Sequence, residues 1–84
     1  MPNFVDYHRV LPLMTPQDVQ DMVEKIRNGD SSQYGVDSWH IYVGLDGQAW
    51  CFSEAESDES VLQAHEGMKF PQGPENVVEA VILV

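Results

Sequence analysis

The chain has 84 residues, enough for one small domain and no more, and with 43% hydrophobic and 21% charged residues its composition is globular rather than disordered. Fourteen acidic side chains against four basic ones give a formal charge of −10 and a pI near 4.3, so phosphate backbones and anionic lipid surfaces are repelled. No nucleic-acid and no membrane partner is expected, and a metal cation or a basic partner is favoured.

The single cysteine, Cys51, excludes an intramolecular disulfide. A domain this small without a covalent staple relies on its core or on a partner subunit. No apolar run approaches the roughly 20 residues of a membrane span, and Met1-Pro2-Asn3-Phe4 lacks the basic flank and apolar stretch of a signal peptide. The expected location is cytoplasmic. No repeat, low-complexity tract or linker divides the chain, so residues 1–84 are read as one domain.

In chain order, Asn3 to Val10 reads as a first strand, ended by Pro12 because proline cannot donate to a ladder. Thr15-Pro16-Gln17-Asp18 reads as a helix start: a capping hydroxyl, a proline at the first helical position and an acid facing the helix dipole. Val19, Met22, Val23 and Ile26 then share one helical face, and Asn28-Gly29 closes the helix. Residues 30–35 read as a polar loop. Val36 to Val43 and Gln48 to Ser53 are the next two strands, joined by a tight turn at Asp46-Gly47. Ser57 caps a second helix with Asp58 and Glu59 in its first turn, an apolar stripe of Val61, Leu62, His65 and Met68, and fraying at Gly67. After a loop at 71–74, Asn76 to Val84 is a last strand, so aliphatic that burial on both faces is expected.

Strand, helix, strand, strand, helix, strand is the ferredoxin-like βαββαβ order of an α+β domain, a four-stranded antiparallel sheet with both helices on one face. The other face is bare, and a bare face carrying apolar residues calls for a second subunit. A homodimer with two sheets meeting face to face is the expectation.

An even-length loop centred on Asp46-Gly47 puts Trp39, Ile41 and Val43 on one face with Trp50, Phe52 and Glu54, the bulkier set expected under the helices. It puts His40 and Tyr42 on the opposite face with Ala49, Cys51 and Ser53. An odd loop with a bulge would reverse this pairing. On the first strand Phe4, Asp6 and His8 share one face and Val5, Tyr7 and Arg9 the other. If Val5 and Tyr7 enter the core, Asp6 and His8 join His40, Tyr42 and Cys51 on the bare face.

Three histidines, one cysteine and many carboxylates are a donor set for a borderline divalent metal, since imidazole suits nickel, copper and zinc and thiolate favours softer ions. No CxxC or HxxxH spacing marks a local site. Taken singly, Cys51 reads as a small buried residue and His65 as a hydrogen-bonded core histidine. The acids Glu54, Glu56, Asp58 and Glu59 read as a solvated helix start, with only Glu54 able to reach a site.

Phe4-Val5-Asp6-Tyr7-His8 resembles the opening F-x-D-x-H of a small bacterial family, formerly a domain of unknown function, described as nickel-binding proteins with a ferredoxin-like fold that dimerise. Tyr34-Gly35-Val36, the stretch from Gly47 to Ala55 and Val61-Leu62-Gln63-Ala64-His65 are similar to later segments of that family. The resemblance implies His8, Cys51 and His65 as metal ligands, with Asp6 and Glu54 as weaker matches, whereas His40 rests on the face argument. Glu56 stands where the family often has proline, and the loop 70–75 departs from its pattern. His65 on the helix-covered side conflicts with His40 and Cys51 on the bare side. Two sites, a structural His65 or an odd-loop register would each resolve it.

The expected function is binding of a divalent transition metal, nickel by resemblance, through His8 and Cys51 with His40 or His65, in storage, buffering or sensing rather than catalysis. The alternatives are a small enzyme using Tyr42, His40 and His8 for acid–base work in a bare-face pocket, and a protein-interaction module.

Overall fold

The computed structural model describes residues 1–11 and 13–84; Pro12, expected to end the first strand, lies outside the described residues. Strand β1 (Asn3–His8) alternates strictly, with Phe4, Asp6 and His8 buried and Asn3, Val5 and Tyr7 on the other side. Helix α1 (Pro16–Arg27) starts as its sequence implies. Thr15 Oγ1 accepts from the Asp18 N–H and the Asp18 carboxylate accepts from the Thr15 N–H, a reciprocal capping box. Only Met22 of its stripe is buried, with Ile26 packed against the core, whereas Val19 is exposed.

The expected polar loop at 30–35 is a 3₁₀ turn, Asp30–Tyr34, bracketed by Gly29 and Gly35 at φ +80° and +83°. Buried Ser31 donates to the Val36 carbonyl at 3.1 Å. Strands β2 (Val36–Val43) and β3 (Ala49–Ala55) follow, then helix α2 (Asp58–Gly67), capped by Ser57, a short 3₁₀ turn Pro74–Asn76 and strand β4 (Val77–Ala80). The inward face of α2 is Val61, Ala64 and His65, continued by Met68.

The strands form one antiparallel sheet in the order β2-β3-β1-β4, the ferredoxin-like arrangement. Both helices cover one face: Met22 of α1 and Val61 and Ala64 of α2 share a core with Phe4, Val36, Trp39, Cys51, Ala55, Met68 and Phe70.

The even-length hairpin is overturned. Val43 pairs with Ala49, Ile41 with Cys51 and Trp39 with Ser53, so the loop Gly44–Gln48 is odd. The Gly44 N–H donates to the Gln48 carbonyl at 2.7 Å and closes a three-residue turn whose last member, Gly47, has φ +90°. That left-handed residue is the bulge of a common three-residue hairpin turn. Cys51 therefore lies under the helices with Trp39 and Ile41. His40 and Tyr42 stand on the bare face beside Trp50 and Phe52.

The last strand is shorter and more exposed than the expected Asn76 to Val84. The partner of Ala80 is Asn3, the first residue of β1, and the β1–β4 ladder ends there; the Pro2 carbonyl, next along the chain, accepts instead from the Ala55 N–H of β3. β4 is an edge strand, and Val81–Val84 run on with side chains 75–112% exposed. Beside them the bare face carries an edge-to-face Tyr42–Phe52 pair, centroids 5.4 Å apart, and a tilted Tyr7–Trp50 pair at 6.0 Å.

Candidate metal centre

Asp6 and His8 are two residues apart on β1, so the pleat points both side chains beneath the helices. Cys51 is the cross-strand partner of Asp6, and the odd hairpin turns it to the same side. From above, α2 lowers His65 onto them. One ligand atom from each of Asp6, His8, Cys51 and His65 lies within 4.8 Å of all the others, and none of the four residues is more than 5% exposed.

The imidazoles are held by their surroundings. His65 Nδ1 donates to the Val61 carbonyl, one helical turn back, at 2.8 Å, which directs the Nε2 lone pair toward the cluster. Its ring stacks on Phe70 at 5.6 Å between centroids and meets Trp39 at 4.7 Å, while His8 packs on Phe70 at 4.3 Å. Asp6 Oδ2 is 2.9 Å from His65 Nε2 and 3.3 Å from His8 Nε2. The His65 contact is at ion-pair distance but not aligned as a hydrogen bond, and among the described residues Nε2 has no other partner. Two lone-pair atoms this close require a positive charge between them, a proton on the ring or a metal ion. Asp6 Oδ1 is likewise buried without a hydrogen-bond partner, against the rule that buried polar atoms are satisfied.

Charge is arranged around these groups. Burial disfavours the Asp6 carboxylate, but the His65 and His8 imidazoles beside it and the Gln72 amide outweigh that and hold the carboxyl well below its usual range. Burial, reinforced by the Asp6 charge, pushes the Cys51 thiol far above its usual range. A protonated thiol beside an ionised carboxylate is the resting state, and a cation beside Cys51 would reverse the balance that keeps its proton.

The structure brings together His8, Cys51, His65 and Asp6. It does not bring in His40, which is exposed on the opposite face, or Glu54, which points away with it. The reason is the hairpin register, and the same register removes the conflict over His65. The bare-face acid–base grouping loses His8, which points to the core. Gln72, in a stretch read only as a loop, is part of the centre: its amide nitrogen donates to Asp6 Oδ2 at 2.9 Å and to the Tyr7 carbonyl at 3.0 Å. No local sequence pattern distinguishes it.

The fold and the centre define a ferredoxin-like α+β domain with a buried cluster of two imidazoles, a thiol and a carboxylate, a group able to hold a metal ion. The protein SCO4226 of Streptomyces coelicolor A3(2) has a solved structure similar over 98% of this chain and 99% of its own, with a TM-score of 0.72 and 19% identical residues, a likeness that shows the fold. No family model and no curated protein matches the chain. Among the described residues, no helix is long and apolar enough to cross a membrane.

Proposed function

We propose that the protein binds a divalent transition-metal ion, nickel, through His8, Cys51, His65 and Asp6, and holds it for storage, buffering or sensing. The observation that carries this reading is the convergence of four ligand atoms within 4.8 Å in a buried site, two of whose polar atoms, Asp6 Oδ1 and His65 Nε2, lack hydrogen-bond partners. Two imidazoles and a thiolate suit nickel, copper and zinc over magnesium or calcium, and the resemblance of the Phe4–His8 segment favours nickel among them. Enclosure on all sides leaves little room for a substrate beside the ion, which favours holding the metal over using it catalytically. A thiolate ligand has to stay reduced, which suits the cytoplasm.

A second copy of the chain is the partner we assign to the bare face. Tyr42, Phe52 and Val78 are exposed there, and Val81–Val84 frame a cavity of about 380 Å³ with Val5, His40 and Phe52.

Chelator-treated protein titrated with nickel tests the metal reading. Binding to the folded state alone raises stability by about 2.7 kcal/mol at a hundredfold excess over Kd, and the bound metal saturates at a small whole number of ions per chain. An unchanged melting temperature with nickel, zinc and copper near neutral pH overturns it.

A further inference from the structure

All four candidate ligands are buried, so an ion reaches them only if something moves. The sheet lies below and α2 lies above. What closes the remaining side is the segment between α2 and β4, and its attachment is unusual. The Phe70 N–H bonds the His65 carbonyl at 2.9 Å, and the Asn76 N–H bonds the Gly73 carbonyl at 3.1 Å. Between these points, among the described residues, Pro71, Gln72 and Gly73 make no backbone hydrogen bond to β1 or α2. The tie is the Gln72 side chain.

That side chain is bonded at both ends. Its Oε1 accepts from the Gly73 N–H at 3.0 Å and from Asn76 Nδ2 at 3.3 Å. Its Nε2 donates to Asp6 Oδ2 and the Tyr7 carbonyl and stands 3.2 Å from His8 Nε2. Asp6 Oδ2 and His8 Nε2 are atoms a metal ion needs. One amide N–H is directed at an Asp6 Oδ2 lone pair that a cation takes, so Gln72 and the ion compete for it.

Building on the metal reading above, we propose that Gln72 is a latch on the metal centre. Closed, it caps Asp6, stands against His8 and ties residues 71–73 to β1. The ion enters when the amide withdraws, and the latch sets the rate of metal entry and release more than the final affinity. Gln72 is thus a positioning residue and not a ligand.

The test uses the intact chain with Co²⁺ as probe, followed in a stopped-flow instrument by the thiolate-to-cobalt absorption of Cys51, for wild type, Gln72→Leu and Gln72→Ala. With the two Nε2 hydrogen bonds to β1 and the two Oε1 bonds within the segment removed, association and dissociation should each accelerate by about tenfold or more while Kd stays equal or tightens. In metal-free protein the Gly73 amide should exchange its hydrogen faster in both variants. Wild-type rates in both variants overturn the latch and leave the metal reading standing. Weaker affinity, through faster dissociation at an unchanged association rate, makes Gln72 a ligand through Oε1 and also overturns it. Wild-type protein that develops no cobalt absorption refutes the metal reading and the latch with it. Unchanged Gly73 exchange refutes the latch whether or not metal binds.

Discussion

Asp6 and Cys51 sit opposite each other on β1 and β3, an ionised carboxylate against a protonated thiol, both sealed beneath the helices. The Asp6 charge helps keep the thiol protonated. A cation placed between them is attracted by the first and ionises the second.

The metal-free protein should therefore have asymmetric pH limits. The folded pKa of Asp6 is lowered, so its stabilisation is present above the unfolded value near 3.9 and is lost as pH falls below it. The folded pKa of Cys51 is raised, so its contribution is full below the unfolded value near 8.5 and is lost as pH rises beyond it. Urea midpoints should fall between about pH 8.5 and 10, and Cys51→Ala should remove part of that slope. An unchanged alkaline slope in the variant contradicts the buried, protonated thiol.

Substitutions should sort by face. Cys51→Ser, His8→Ala and His65→Ala should each weaken nickel binding by at least about tenfold, as losing a ligand or its orientation does. His40→Ala should leave it unchanged, because His40 is exposed on the other side of the sheet. Isothermal titration separates the two groups. His65→Ala should also cost on the order of 3 kcal/mol without metal, since it leaves the buried Asp6 charge short of a partner.

The bare face should behave as an interface. Phe52→Glu, or removal of Val81–Val84, should convert the dimer to a monomer in light scattering at micromolar concentration while nickel affinity in each chain persists. Wild-type protein that is already a monomer sinks the assembly proposal without touching the metal centre.

A control for the scaffold is Thr15→Ala. It breaks the reciprocal cap with Asp18 and should cost about 1 kcal/mol, a fall of roughly 4–8 °C in Tm for a domain of this size. Nickel stoichiometry should not change. Loss of binding in this variant would mean that the centre is not preformed by the sheet.

Most of the architecture was legible because local chemistry marks it. Thr15-Pro16 opens α1, Ser57 caps α2, and six elements in that order leave little choice of topology. What was not legible turned on single residues. Whether the hairpin loop is odd or even depends on Gly44 pairing with Gln48, and either pattern of Trp, Ile and Phe gives a plausible core. That one step moved Cys51 to the helix side and parted it from His40, which stays on the bare face. The aliphatic tail Val81–Val84 read as buried because composition cannot say where a partner strand begins. Gln72 carries no motif at all; it reaches Asp6 across 66 positions, a contact only the fold creates.

The most direct test of the metal centre is the absorption spectrum of the cobalt-loaded protein. Thiolate ligation by Cys51 gives a sulfur-to-cobalt charge-transfer band in the near ultraviolet that saturates at a small whole number of ions per chain. The account predicts that band in wild type and in His40→Ala, and its disappearance in Cys51→Ser. A band of equal strength in Cys51→Ser, or cobalt bound by wild type with no band at all, would place the ion on the acidic surface and contradict a centre built from Asp6, His8, Cys51 and His65.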